Sequence, residues 1–244
     1  MFERIDQLKH QLDNHRPLPG AVVKNLHDDL VLRWTYHSNA IEGNTLTLLE
    51  TKVVLEGITV GGKAIREHFE AINHRNAIFF VEDIIKKHET FSEWQIRNIH
   101  QLVLKNIDDE NAGRYRQNNV LIAGASHTPP DHTVIADKMN QFVEWYHQQA
   151  AHLHPVERAA YVHADFVGIH PFIDGNGRTS RLLMNLELMK AGYPPCVITV
   201  ENRLAYYEAL DQWTTSKSIK PFIQLIANAV MEGFKPYQQV LGLK

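Results

Sequence analysis

Four side chains that can act together on phosphates lie within residues 170–181. His170 carries a base that can accept a proton near neutral pH, and Asp174 offers the hard oxygen ligand that Mg²⁺ prefers. Arg178 and Arg181 are three residues apart, so on a helix they project from neighbouring positions of its first turn. A base, a metal ligand and two guanidiniums indicate chemistry on the phosphates of a nucleotide, with a hydroxyl as the attacking group.

A short Gly-Asn-Gly loop separates the histidine from the arginines and runs directly into a predicted helix. Gly175 and Gly177 let the backbone approach a ligand closely and allow positive φ angles. Free N–H groups and the positive dipole end of a helix that begins near Arg178 form an anion site. The combination favours a phosphate site over a structural glycine loop with solvated arginines.

The apolar residues that must position this loop follow helical spacing through most of the chain. The predicted helices cover residues 2–12, 23–34, 47–57, 66–88, 92–103, 134–149, 155–169, 178–190, 203–213 and 221–234. Residues 111–133 differ, because glycines and prolines surround the apolar run 120–122 there, and this pattern predicts one strand or hairpin. The predicted fold class is all-α with one protruding β element.

Composition limits the classes of protein that fit this chain. Its 244 residues indicate one large domain, or a domain with a helical extension. The 25 Lys and Arg against 28 Asp and Glu give a net charge of −3, which argues against a large nucleic-acid interface. The single cysteine, Cys196, excludes an internal disulfide and a Cys-rich zinc site. Because no apolar run approaches the roughly 20 residues of a membrane span, we expect a cytoplasmic protein with no nucleic-acid or membrane partner.

The chain resembles a member of the Fic family. Residues 170–181 match the family motif His-Pro-Phe-x-Asp/Glu-Gly-Asn-Gly-Arg-x-x-Arg at every defined position. Residues 113–130 resemble the family's β-hairpin flap, and Tyr206, Tyr207 and residues 220–222 resemble its C-terminal helices. The resemblance implies a Fic-fold helical bundle with this flap and with an N-terminal helical extension.

The same resemblance implies a division of the chain into three parts. Residues 1–94 correspond to an N-terminal helical region, residues 95–234 to the Fic catalytic core, and residues 235–244 to a C-terminal tail.

Fic proteins that resemble this one transfer AMP from ATP to a Ser, Thr or Tyr hydroxyl of a protein and release pyrophosphate. The resemblance implies that His170 takes the proton of that hydroxyl and that Asp174 holds Mg²⁺ on the α- and β-phosphates. The other implied contacts are an anion hole at Gly175, Asn176 and Gly177, triphosphate contacts from Arg178 and Arg181, and nucleoside contacts from Tyr206 and Tyr207. We also expect the flap to hold the target by main-chain pairing through Val120, Leu121, Ile122, Ala123 and Gly124.

A second motif, from Ser38 to Asn44, lies N-terminal to the core. Ser38 and Glu42 are spaced i and i+4, so they share one face of a helix. These residues alone also fit a helix end with Gly43 as its cap and Glu42 in solvent. The match to the family's inhibitory pattern implies instead that Glu42 pairs with Arg181, fills the γ-phosphate site and tilts ATP away from in-line attack.

Other functions stay open at this point. Glu42 could align a water for the reverse reaction, the hydrolytic removal of AMP from a protein. A non-catalytic nucleotide-binding regulator is a second alternative, against which the intact His170 and Asp174 argue. Transfer of a different group is a third, against which the complete motif argues. The implied cofactors are ATP as substrate and Mg²⁺, and the implied partners are a protein substrate, the chain itself as a target, and a second copy in a homodimer.

Overall fold

The computed structural model describes residues 2–242, and these residues form ten α-helices and three short 3₁₀ helices with no β-strand. Within the same range, every helix lacks either the length or the apolar character that a bilayer span requires. In chain order the α-helices are α1 (Glu3–Asp13), α2 (Gly20–Ile41), α3 (Leu48–Leu55), α4 (Ile65–Lys86), α5 (Glu93–Leu104), α6 (Ile135–Gln148), α7 (Pro155–Ile169), α8 (Asn176–Lys190), α9 (Arg203–Ser216) and α10 (Lys220–Leu241). The prediction of an all-α fold is confirmed.

Local signals explain where the central helices begin and end. α7 starts with Pro155 in its first turn, where the missing N–H costs nothing, and it covers the predicted residues 155–169. α8 begins at Asn176, slightly earlier than the sequence pattern indicated. α10 continues to Leu241, so residues 235–241 of the expected tail are helical, while the last two residues of the chain lie outside the described range.

Helices α7 and α8 pack against each other and contribute side chains to two buried apolar clusters. The first cluster joins them to α1, α9 and α10, where Phe222 and Phe234 are buried. The second joins them to α2, α4, α5 and α6, where Ile99 and Phe166 are buried. Full burial of one such side chain contributes about 1.5–3 kcal/mol, so both clusters hold the connection between α7 and α8 firmly.

The predicted β-hairpin is wrong, because residues 117–131, which we call the flap loop, contain no strand. The Arg116 guanidinium donates to the carbonyl oxygens of Asn118 (2.8 Å) and Pro130 (2.5 Å), near the two ends of the loop. These bonds close the loop through a side chain rather than through a ladder of backbone pairs. Pro129 and Pro130 also lack the N–H that a ladder would need at its base.

Candidate active site

The loop between α7 and α8 is shaped by two residues in the left-handed region. His170 ends α7 with φ 50° and ψ 58°, and Gly175 precedes α8 with φ 76°. The Asn176 side chain accepts a hydrogen bond from Phe172 N–H (3.0 Å) and donates one to Phe172 O (2.8 Å). Asn176 therefore fixes the turn that holds the histidine beside the start of α8, and its amide is used within the loop.

A buried histidine on α5, His100, supports the loop between α7 and α8. His100 Nδ1 lies 2.9 Å from Gly113 N–H and accepts its hydrogen bond, so Nε2 carries the proton and donates to Asp174 O at 2.9 Å. The His100 ring also stacks on Phe172, with ring centroids 3.5 Å apart. Burial lowers the pKa of His100 to about 4, so the ring stays neutral and keeps this tautomer at neutral pH.

His170 is positioned by α7 and by Arg116. Arg116 Nε donates to His170 O (2.9 Å), and Arg116 N–H donates to Pro171 O (2.9 Å). Burial, aided by the positive charge of Arg116, lowers the pKa of His170 to about 4. At neutral pH the imidazole is therefore uncharged and able to accept a proton.

Asp174 lies between two guanidiniums. Its Oδ1 accepts hydrogen bonds from Gly175 N–H and from Arg178 Nη2 (3.3 Å), and its Oδ2 accepts one from Arg66 Nη2 (2.6 Å). Burial raises the pKa of Asp174, but Arg178, the Gly175 N–H and Arg66 outweigh it and hold the pKa below its ordinary value. The group is therefore a carboxylate at neutral pH.

The donor set around Asp174 fits Mg²⁺ bound together with a nucleotide. No group of three or more His, Cys, Asp or Glu side chains within residues 2–242 is arranged to hold a metal by itself. Mg²⁺ is usually bound by one or two carboxylates together with substrate phosphates and waters, so one carboxylate is sufficient here. The N–H groups of Asn176, Gly177 and Arg178, in the first turn of α8, have no intrahelical partners and are available for those phosphates.

Arg178 is nearly fully buried and faces carboxylates on two sides. Besides Asp174, its Nη1 lies 3.5 Å from Glu70 Oε1 on α4. Glu70 also accepts a hydrogen bond from Arg66 Nε (3.1 Å) and one from Asn44 Nδ2 (2.8 Å). Glu70 therefore joins the start of α4, the segment after α2 and the first turn of α8.

Arg181 is enclosed by the end of α2. Its Nη2 lies 2.8 Å from Glu42 Oε1 and donates to Ser38 O (2.7 Å), and its Nε donates to Ser38 Oγ (3.0 Å). The Arg181 side chain is 2% exposed, whereas the Glu42 side chain is 34% exposed. Burial alone would lower the pKa of Arg181, but Glu42 and Tyr206 raise it, so the guanidinium is charged and paired. The structure thus brings the three residues of the expected inhibitory contact together.

Gly177 is the position that lets the Glu42 carboxylate approach α8. A Cβ atom at residue 177 would overlap Glu42 Oε1 and would come within 3.2 Å of Arg181 Nη1. Any larger residue would force the carboxylate or the guanidinium to move. The absence of a side chain at Gly177 therefore permits the Glu42–Arg181 contact in its present geometry.

The two tyrosines lie in different surroundings. Tyr206 is buried, and its hydroxyl accepts a hydrogen bond from Arg181 Nη1 (3.3 Å) and lies 3.0 Å from His163 Nε2. Its side chain is enclosed and supports Arg181 from behind, and the expected nucleoside contact from Tyr206 stays a prediction. Tyr207 is 40% exposed and donates its hydroxyl to Ile41 O (3.1 Å), beside Glu42.

The flap loop is fixed at two points beyond its base. His127 Nε2 bonds the Gly168 carbonyl (2.9 Å), and Ser126 N–H donates to an Asp211 carboxylate oxygen (2.8 Å). The N–H groups of residues 120–124 make no hydrogen bond to the protein within residues 2–242. An extended segment of another chain could therefore pair with them.

Three supporting residues were not predicted from the sequence: Arg66, Glu70 and His100. They come from α4 and α5, and the hydrogen bonds of Arg66 and His100 to Asp174 join residues 108 and 74 positions apart. The only signal in the sequence is a histidine next to the apolar stripe of α5, and that pattern is also typical of an ordinary core residue.

Comparison with known proteins places this site in a family. Residues 90–188 match the model of the Fic/DOC family. The chain is 38% identical to "Protein adenylyltransferase Fic" of Nematostella vectensis over 240 residues, which are 97% of this chain and 55% of that protein. It is 42% identical to the protein of the same name from Drosophila persimilis over 237 residues, covering 93% of this chain and 46% of that protein. The chain thus spans about half the length of the curated relatives it matches.

Solved structures give the same result over the whole fold. A Fic domain containing signaling protein from Bacteroides thetaiotaomicron superposes with a TM-score of 0.89 at 30% identity, covering 98% of this chain and 97% of that one. Fic-1 from C. elegans superposes with a TM-score of 0.90 at 31% identity, covering 99% of this chain and 72% of that one. These similarities define a protein with the Fic fold and the Fic motif. The chain belongs to the Fic/DOC family.

Proposed function

We propose that this protein is a protein adenylyltransferase that moves AMP from ATP to a hydroxyl of a target protein. The observation that carries the proposal is a buried, uncharged His170 beside the first turn of α8, where N–H groups, Arg178 and Asp174 meet. The curated relatives that carry the name protein adenylyltransferase support the same reaction. The neutral histidine argues against a regulator that only binds a nucleotide, because such a protein needs no base.

The proposed reaction is an in-line displacement at the α-phosphorus. The target hydroxyl oxygen forms a bond to that phosphorus, the bond to the β-phosphate oxygen breaks, and pyrophosphate leaves. His170 accepts the proton of the hydroxyl, and its imidazole is unprotonated at neutral pH, so a ring nitrogen is available for that proton. The first-turn N–H groups of α8 and the Arg178 guanidinium stabilise charge on the phosphates. Mg²⁺, when bound at Asp174, supplies neutralisation of phosphate charge.

We further propose that Glu42 inhibits this reaction. A γ-phosphate needs the Arg181 guanidinium, and Glu42 holds that guanidinium at 2.8 Å. Ser38 orients the pair by accepting two hydrogen bonds from Arg181. On this proposal residues 1–94 carry the inhibitory contact, and residues 95–234 carry the catalytic groups.

The flap loop is the proposed docking site for the target. Its residues 120–124 have free N–H groups, and Arg116 links the loop ends directly to the backbone of His170. A target segment paired there would bring its hydroxyl towards the imidazole. The protein itself is one proposed target, together with other proteins.

Hydrolytic removal of AMP from a protein is a second candidate reaction at the same site. It is favoured by the position of Glu42, whose carboxylate is close enough to His170 to act on the pKa of its ring. A carboxylate there can hold a water for attack on the phosphorus of an AMP-modified hydroxyl.

Labelled ATP separates these reactions. Purified wild-type and Glu42→Gly proteins are incubated with ATP labelled at the α-phosphate and, in parallel, at the γ-phosphate. The proposal expects label on protein from the α-position only, and expects His170→Ala to abolish it. Label from the γ-position would show phosphate transfer instead. Equal α-labelling by the His170→Ala variant would reject His170 as the base. If the wild-type protein removes the label from a target that was labelled beforehand, the protein also catalyses AMP removal.

A further inference from the structure

Arg66 contacts the candidate phosphate site, but neither the motif nor the proposed reaction uses it. It lies in the first turn of α4, and its Nη2 donates to Asp174 Oδ2 at 2.6 Å. Its Nε donates to Glu70 Oε1 at 3.1 Å. The Arg66 side chain is 55% exposed, in contrast to the buried Arg178.

The two oxygens of Asp174 have different partners. Oδ1 is held from within the loop and α8, by Gly175 N–H and by Arg178. The hydrogen bond at Oδ2 comes from Arg66, a long side chain that solvent reaches. A cation that binds Asp174 through Oδ2 would therefore come close to the exposed Arg66 guanidinium.

A divalent cation at this oxygen would lie close to the positive charge of the Arg66 guanidinium. The two would be within a few ångströms of each other, where like charges repel, so a cation at Oδ2 favours displacement of the guanidinium. Displacement does not release Arg66 from the site, because Glu70 still holds its Nε and is itself largely buried. The Arg66 guanidinium thus keeps its hydrogen bond to a second carboxylate, that of Glu70, while Asp174 binds a metal.

We propose that Arg66 is a positioning residue that competes with the divalent cation for Asp174. It holds the Asp174 carboxylate in place and lowers its affinity for a divalent cation. A cation therefore binds tightly only when the phosphates of a nucleotide supply further ligands. This inference rests on the proposed function, in which Asp174 is the Mg²⁺ ligand.

The competition has a measurable size. Partly exposed ion pairs shift an equilibrium by about fivefold at most, and repulsion between the guanidinium and a dication adds a similar factor. Removal of the charge in Arg66→Gln should therefore tighten Mn²⁺ binding by about threefold to tenfold in protein without nucleotide. Higher ionic strength should reduce the difference, because salt screens an exposed charge.

The experiment titrates the full chain with Mn²⁺ and measures free Mn²⁺ by electron paramagnetic resonance, with no turnover in the readout. Arg66→Lys keeps the positive charge but loses the hydrogen-bond geometry of the guanidinium. We expect it to bind Mn²⁺ like the wild type, whereas a purely structural role of Arg66 predicts that it behaves like Arg66→Gln. Arg33→Gln is the matched control, because Arg33 is equally exposed and pairs with Asp29 within α2, away from the site. Circular dichroism melting of each variant checks that the fold is kept.

The outcomes separate this inference from the proposed function. Mn²⁺ binding that Asp174→Asn does not weaken would reject the metal assignment and the inference with it. Binding that Asp174→Asn abolishes, but that is equal in wild type and Arg66→Gln, would overturn the role of Arg66 alone. An equal gain in Arg33→Gln would also overturn it, because the effect would then come from net charge.

Discussion

The Glu42→Gly substitution tests the inhibitory contact most directly. It removes the carboxylate that lies 2.8 Å from Arg181 Nη2 and leaves the guanidinium with its two bonds to Ser38 and one to the Tyr206 hydroxyl. A guanidinium freed in this way can make a charge-assisted contact to a γ-phosphate. We therefore expect strong self-labelling from α-labelled ATP in the variant and weak labelling in the wild type.

The size of the effect follows from the burial of the pair. Two unit charges about 4 Å apart attract by about 4 kcal/mol at a partly buried site and by about 1 kcal/mol in bulk water. Arg181 is 2% exposed but Glu42 is 34% exposed, so solvent screening reduces the first figure substantially. If about 1–3 kcal/mol of this attraction remains after screening, its removal should raise the affinity for ATP bound in the productive orientation by about fivefold to 150-fold.

The chain offers a matched control for this substitution. Glu56 ends α3 with φ −79° and ψ −2°, and Glu42 ends α2 with φ −83° and ψ 1°. Each is followed by a glycine with positive φ. Glu56→Gly therefore imposes the same local backbone change at a distance from Arg181, and we expect wild-type labelling from it.

Two further measurements complete the test. Calorimetric titration with a non-hydrolysable ATP analogue should show the gain in affinity, and Arg181→Ala placed on Glu42→Gly should suppress the labelling again. Equal labelling by wild type and Glu42→Gly at matched Mg²⁺ and ATP would refute the reasoning. Activation by Glu56→Gly would refute it too, because a general loosening would then explain the result.

Three other expectations concern the base, the flap loop and acid stability. His170→Ala should lower AMP transfer by about 10²–10⁴-fold with an unchanged melting temperature, and a wild-type rate would exclude His170 as the base. Ile122→Pro removes an N–H from the flap loop and should reduce target labelling more than ATP binding; equal losses would indicate misfolding. The free energy of unfolding should fall as pH drops from about 6.5 to about 4, because the unfolded chain then binds a proton on His100 that the folded protein excludes. His100 contributes about 1.4 kcal/mol per pH unit to the change in the free energy of unfolding. Urea unfolding of His100→Gln should therefore show a shallower pH dependence than that of the wild type, and an identical slope would contradict this assignment.

Sequence patterns predicted the parts of the site that lie close together in the chain. The ends of α7 follow from a proline in its first turn and from the change of pattern at His170, and both are local signals. The groups of residues 170–181 are brought together by one loop and one helix turn, so spacing alone indicated their proximity. The partners of these groups could not be found in this way, because Arg66, Glu70 and His100 approach from helices whose packing depends on the entire core.

The absence of the expected hairpin and the burial of Tyr206 are two features that local sequence patterns did not indicate. The apolar run 120–122 fits a strand, but Arg116 closes the flap loop through its side chain and leaves no backbone ladder. Tyr206 fits a nucleoside contact by its place in the motif, but the packing of α9 buries its ring behind Arg181. A hydrophobic pattern does not record side-chain contacts such as those of Arg116 with the loop carbonyls and of Tyr206 with Arg181.

The charges of the site support the proposal that Glu42, rather than another carboxylate, regulates it. Three guanidiniums, those of Arg66, Arg178 and Arg181, face three carboxylates, those of Asp174, Glu70 and Glu42. On the proposed function, the phosphates of a nucleotide therefore compete with carboxylates of the chain for each guanidinium. Glu70 is bound by Asn44 and by two arginines and is only 12% exposed, and Asp174 is the proposed cation ligand. Glu42 bonds Arg181 alone among these guanidiniums and caps the end of its helix. Its displacement therefore costs the fewest contacts and exposes the charge that the proposed γ-phosphate contact needs.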